Sequence, residues 1–179
     1  MNPIWQRQEA GLRSTENSVP GSASCSVYQL IMIRFFIRDP EERCIMDNCI
    51  FCKIANGEIP SATIYEDDDF RVILDLNPAA KGHSLILPKS HAANIHDLPD
   101  ELVGKAMILA KKMAGRMTQK LGCSGMNILQ NNGISAGQTV FHFHMHLIPR
   151  NDADGLGIGW RPSPLTDEVR DELLALLKD

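Results

Sequence analysis

Phe141-His142-Phe143-His144-Met145-His146-Leu147-Ile148-Pro149 decides the fold. Three of the chain's six histidines fall here, each two residues from the next, with apolar residues between and after them. In an extended strand side chains alternate faces, so His142, His144 and His146 share one face at roughly 6.5–7 Å intervals. Phe143, Met145 and Leu147 take the other face and point into a core. A core gains little from three imidazoles in a row, because each needs hydrogen-bond partners once buried. The triplet therefore marks a metal or catalytic site, and this stretch is read as the last strand of a sheet.

Working outward, the loop Asn131-Asn132-Gly133-Ile134-Ser135-Ala136-Gly137-Gln138 precedes the triplet, and Met126–Gln130 before it is a fourth strand. Upstream lies one long helix. It starts at Asp97 or Pro99, carries Asp100 and Glu101 where the helix dipole favours acids, and stops at Gly122. Leu102, Met107, Ala110, Met113, Met117 and Leu121 supply its apolar spacing. Ser61–Glu66 and Phe70–Leu76 form a hairpin around the solvated tip Asp67-Asp68-Asp69, and Ser84–Leu87 is a third strand ended by Pro88. A second helix runs from the N-cap Thr166 to Leu177. Five strands, a hairpin and one long helix between strands three and four predict an α+β fold with an antiparallel sheet.

The chain has 179 residues, enough for one domain with a core that needs no disulfides. A formal charge of −4 gives no electrostatic footprint for nucleic acid. Residues 1–45 read as a poorly ordered or dispensable extension, Ser-, Gly- and Asn-rich as far as Ser26, with Met46 opening the domain that runs to residue 179. The apolar run Val27–Ile37 is too short to span a bilayer and is interrupted by Arg34. Five cysteines, an odd number, fit reduced thiols and a cytoplasmic setting better than a disulfide framework.

Three sets of residues carry chemistry. Cys49 and Cys52 have the two-residue spacing that lets both thiolates reach one ion, and soft ligands favour zinc. The same spacing also suits a redox pair or two buried thiols. No second such pair follows, so further ligands should be histidines: His91 or members of the triplet. The triplet itself admits two readings. It can hold a catalytic zinc, or one neutral imidazole can attack phosphorus while its other nitrogen keeps its proton on a fixed acceptor. Gly137-Gln138-Thr139 offers a permissive backbone and side-chain donors for an anion whose charge grows during substitution.

His142-Phe143-His144-Met145-His146-Leu147-Ile148 resembles the signature of the histidine triad (HIT) superfamily. Cys49–Ile54, Gly57-Glu58-Ile59-Pro60, Tyr65-Glu66-Asp67, Pro88-Lys89-Ser90-His91 and Asn131-Asn132-Gly133 through Val140 resemble its purine-nucleoside phosphoramidase branch. The likeness covers about Asp47 to Arg150. It implies a homodimer whose two five-stranded sheets join, and a purine nucleotide substrate attacked at its α-phosphorus. By motif, His144 is the nucleophile and His146 contacts the phosphate. Gly137, Gln138 and Thr139 hold phosphoryl oxygens and leaving group, and Asn131 positions phosphate and ribose. Asp75 matches the residue that bonds the ribose hydroxyls, and Phe51, Ile54, Ile73 and Leu76 the apolar base pocket. Cys49, Cys52, His91 and His142 match the ligands of a structural zinc. Nucleoside phosphoramidates are the implied substrates, dinucleoside polyphosphates the runner-up, and a zinc-stabilised nucleotide-binding or adaptor protein the non-enzymatic alternative. Two departures bear on the site: Ile73 stands where many relatives carry an aromatic residue, and Ala136 replaces a common glycine. Trp160, on a glycine-rich tail, is expected to reach the partner subunit's site.

Overall fold

The structure, a computed structural model, describes residues 48–159 and 161–178. The expected extension over residues 1–45 and the expectation for Trp160 lie outside the described residues. Among the described residues nine elements follow in order, eight regular ones and a short 3-10 turn. They are α1 (Ile50–Ala55), β1 (Thr63–Glu66), β2 (Phe70–Leu74), β3 (Ser84–Pro88), α2 (Asp100–Leu121), β4 (Gly125–Gln130), the 3-10 turn Ile134–Ala136, β5 (Met145–Arg150) and α3 (Asp167–Leu177). The strands form one sheet in the order β1-β2-β3-β5-β4, and every pairing is antiparallel. The expected α+β class and the five-stranded antiparallel sheet are both present.

The hairpin tip is more than a solvated turn. Asp67 accepts from the backbone N–H groups of Asp69 and Phe70 and from the Tyr65 hydroxyl, which pins the turn between β1 and β2. Asp69 in turn pairs with Lys105 of α2. Strand parity then sorts the sheet into two faces. Phe70, Val72, Ile86, Phe143, Met145 and Leu147 pack with Ala106, Leu109, Ala110, Met113 and Met117 of α2. On the opposite face Ile73, Leu85 and Leu87 pack with Ala55, and Phe51 and Ile54 lean against them.

Three features differ from the sequence reading. The sequence reading predicts no element over Cys49–Ile54; the helix α1 starts there at Ile50, with Cys49 just before it. A helix of six residues cannot hold itself. Packing of Phe51 and Ile54 holds it, together with Arg71, which donates to the Ile54 carbonyl at 3.0 Å, and Asn56, which donates to the Cys52 carbonyl at 2.9 Å. Of the three histidines of the triplet, His146 alone lies within β5. Upstream the backbone leaves the ladder, and Phe143 N–H donates to the carbonyl of Ala92 in the loop after β3. The alternation survives because extended backbone keeps it without a partner strand. On α2, Met107 and Leu121 face outward, and Leu109 takes the core position instead. No described helix is long and apolar enough to cross a membrane.

Candidate active site and metal centre

Four candidate ligands converge where α1, the end of β3 and the approach to β5 meet. Cys49 is the residue before α1 and Cys52 lies inside it, so the i, i+3 spacing puts both thiols on one side of the helix. The Cys52 sulfur lies 3.2 Å from His91 Nδ1 and 3.4 Å from His142 Nδ1, and the Cys49 sulfur lies 3.6 Å from His142 Nδ1. All four donor atoms are within 4.8 Å of one another. A tetrahedral zinc with ordinary bond lengths separates a sulfur and a nitrogen by about 3.6 Å, so the set has the right size and chemistry. His142 Nε2 donates to the Pro88 carbonyl at 3.0 Å, which leaves the Nδ1 lone pair for a metal. Burial pushes the His142 imidazole down to about 4, and burial likewise lowers His91, so both are neutral and able to ligate.

With His142 turned to the cysteines, His144 is left for other chemistry. Its Nδ1 lies 2.7 Å from the His142 carbonyl, an acceptor only, so Nδ1 carries the proton and Nε2 keeps its lone pair. Burial holds the imidazole below its ordinary value, and it is uncharged at neutral pH. The Phe51 ring stands edge-on to it with centroids 5.1 Å apart, and His146 flanks it at 5.0 Å.

A fifth histidine belongs to the site and was missed in the sequence. His83, buried at the start of β3, is 2.9 Å from His146 between Nε2 and Nδ1. Its own Nδ1 accepts from Ala79 N–H at 3.0 Å. Proton placement is then forced along the chain: Nε2–H on His83, a bare Nδ1 on His146, and a proton on His146 Nε2. Burial lowers His146 to about 4. Asp75 lies 3.7 Å from His83 Nδ1 and accepts from Asn77 N–H, so one carboxylate faces both the histidine chain and the adjacent turn. Gly82, just before His83, sits at φ +88°, and a Cβ there would lie 2.6 Å from Leu121, so the turn into β3 depends on glycine.

The remaining predicted residues fall around this centre. Gly137 has φ +85°, as its proposed loop role requires, and the Asn131 side chain lies beside it. Thr139 is exposed on the same loop. Gln138 is buried and its amide is already engaged: Oε1 accepts from Gly133 N–H, and Nε2 donates to the carbonyls of Ala93 and Val140. In this arrangement it shapes the loop instead of presenting a donor to an anion. Phe51, Ile54 and Ile73 pack in one apolar cluster, whereas Leu76 is 90% exposed and is not packed with them.

The comparisons agree with this geometry. The HIT domain family model matches residues 56–153. The "Protein hit" of Bacillus subtilis is 45% identical over 116 residues, 64% of this chain and 80% of that protein. An adenosine 5'-monophosphoramidase of Saccharomyces cerevisiae is 47% identical over 136 residues, 73% of this chain and 83% of its own length. The crystal structure of a zinc-bound histidine triad family protein from Mycobacterium smegmatis superposes with a TM-score of 0.60 at 37% identity, covering 73% of this chain and 96% of that one. With the triplet, its supporting loop and the sheet all in place, this chain belongs to the HIT domain family.

Proposed function

We propose that the protein is a nucleotide hydrolase that cleaves purine nucleoside 5'-phosphoramidates at the α-phosphate through a nucleotidyl-histidine intermediate. The observation that carries this reading is the hydrogen bond from His144 Nδ1–H to the His142 carbonyl, which leaves the Nε2 lone pair of a buried, neutral imidazole available. That lone pair attacks phosphorus, a bond forms between Nε2 and phosphorus, and the leaving amine takes up a proton from solvent as its own bond to phosphorus breaks. Water then attacks the phosphorus, releases the nucleoside monophosphate together with a proton, and restores the neutral imidazole. Covalent catalysis of this kind divides one difficult substitution into two easier ones. His146, fixed as an Nε2–H donor, meets the charge that grows on the phosphoryl oxygens. Gly137, Thr139 and Asn131 line the anion's side of the site, and Gln138 holds their loop in shape. Asp75 takes the ribose hydroxyls, and Phe51, Ile54 and Ile73 receive the base, with Leu76 closing over its edge.

The phosphoramidate substrate is favoured by the name of the yeast relative. Cys49, Cys52, His91 and His142 hold a structural zinc in this reading, and their reduced thiols suit a cytoplasmic protein. The subunits pair through β4, an edge strand, and the adjacent outward face of α2, where Met107 and Ile108 are exposed. The test is AMP release from adenosine 5'-phosphoramidate by the wild type and by His144→Ala at matched zinc content. Loss of turnover, together with loss of an acid-labile nucleotidyl adduct, is the expected result. Surviving turnover would move the chemistry away from His144.

A further inference from the structure

The helix that brings two of the four ligands also brings the wall of the nucleotide pocket. Phe51 lies between Cys49 and Cys52 on α1, and its ring stands edge-on to both His144, at 5.1 Å, and His142, at 6.1 Å. Ile54, one turn further on, packs against the cluster of Ala55, Ile73, Leu85 and Leu87. His142 is tied in three directions. Its Nδ1 faces both thiols, its Nε2 meets the Pro88 carbonyl, and its own carbonyl receives the Nδ1 proton of His144. The residue that would ligate through its ring therefore sets, through its main chain, which nitrogen of His144 is protonated. A ring held at both nitrogens constrains the peptide plane behind it, and that plane aims the carbonyl at His144.

We infer that metal binding at Cys49, Cys52, His91 and His142 is energetically coupled to the nucleotide site. Loading fixes α1, and with it Phe51, and it fixes the His142 carbonyl that selects the reactive tautomer of His144. His142 is a positioning residue in this scheme. The coupling goes beyond a stabilising role for the metal, because a metal that merely stabilised the fold would leave the tautomer and the nucleotide affinity of the folded protein unchanged. Coupling is also reciprocal: if metal tightens nucleotide binding, nucleotide tightens metal binding by the same factor. The nucleotide half of the inference rests on the proposed function; the tautomer half does not.

The full chain, labelled with ¹⁵N-histidine, is compared in its zinc-loaded form and after chelation, with far-ultraviolet circular dichroism confirming that both are folded. A single Nδ1–H tautomer of His144 is expected with zinc and a mixture without it. AMP should bind about tenfold or more weakly to the chelated protein, and saturating AMP should tighten zinc binding by the same factor. An unchanged His144 tautomer, with AMP and zinc binding independent to within twofold, would overturn the inference even if the melting temperature falls. Should chelation unfold the chain, zinc- and cadmium-loaded forms are compared instead. The His144 Nδ1–H signal should move with the metal while that of exposed His96 stays put, and no movement would equally refute the coupling. If AMP binds neither form, the proposed function fails, and the tautomer readout still decides whether the metal centre controls His144.

Discussion

Replacing His83 with alanine tests the proton placement on which the proposed chemistry depends. His83 touches no part of the reacting phosphate in this scheme; it acts by donating Nε2–H to His146 Nδ1 over 2.9 Å. Without that donor, the two neutral tautomers of His146 become close in energy, and His146 Nε2 no longer reliably carries the proton that meets the phosphoryl charge. A buried polar atom left without its partner costs about 1–3 kcal/mol, which corresponds to roughly 5- to 150-fold in kcat/KM. Most of the loss belongs in kcat, because the donor matters most where charge has built up. Stability falls by a similar amount, since Ala79 N–H also loses its acceptor. His83→Gln retains an amide donor and should recover part of the activity. The assay is steady-state hydrolysis of adenosine 5'-phosphoramidate with kcat and KM separated, on protein shown to be folded and loaded with zinc. If His83→Ala keeps kcat/KM within twofold of the wild type, the chain from Ala79 through His83 to His146 does not govern the reaction, and the reasoning is refuted.

Other outcomes follow from the same geometry. Burial holds His146 near 4, with the like-charged His144 and His83 acting in the same direction and Asp75 opposing, so between about pH 6.5 and 4 the unfolded chain binds more protons than the folded one. Stability should accordingly fall as pH drops through that window; thermal melts at pH 7.5 and 5.0 check the sign, and a melting temperature that rises at the lower pH would contradict it. Phe143→Ala removes a fully buried ring from the centre of the main core and should cost about 3–5 kcal/mol in a urea titration. Gln138→Ala removes three hydrogen bonds from a buried amide and should both weaken AMP binding, read by calorimetry, and lower the melting temperature, since Gly133 N–H and the Ala93 and Val140 carbonyls lose their partner. Met107→Glu places a charge on the exposed face of α2 and should shift the proposed dimer towards monomer in sedimentation velocity.

The parts of the fold that were legible in the sequence are those where local chemistry and tertiary structure agree. Thr166 reads as an N-cap, and its hydroxyl does accept from Val169 N–H. Gly122 reads as the end of the long helix, and the helix ends there. Period-two alternation placed Phe143, Met145 and Leu147 in the core, where they lie. It could not show that the ladder begins only at Met145, because alternation is a property of extended backbone and not of pairing. On α2 the apolar residues outnumber the buried positions. Choosing among Met107, Leu109 and Leu121 requires knowing where the sheet lies, and no helical period contains that.

α1 and His83 were missed for opposite reasons. α1 has no side-chain N-cap and no acid in its first turn, so nothing local announces a helix. It exists because the sheet offers Phe51 and Ile54 an apolar seat and because Arg71 of β2 donates to the Ile54 carbonyl. His83, by contrast, had a usable signal. It is in phase with Leu85 and Leu87, which face α1, and Leu85 is the register partner of His146. Parity along β3 therefore puts a fourth histidine on the face of the triplet. Once the pairing of β3 with β5 is known, His83 lies diagonal to His146, a separation of roughly 7–8 Å that two imidazole side chains bridge. The same logic separates the roles of the triplet. His142, still outside the ladder, is free to turn towards α1 and the cysteines, whereas His146, held in register, can face only its neighbours across the sheet. His144 lies between a residue turned to the two cysteines and one held by the sheet, which is why its orientation is fixed from both sides.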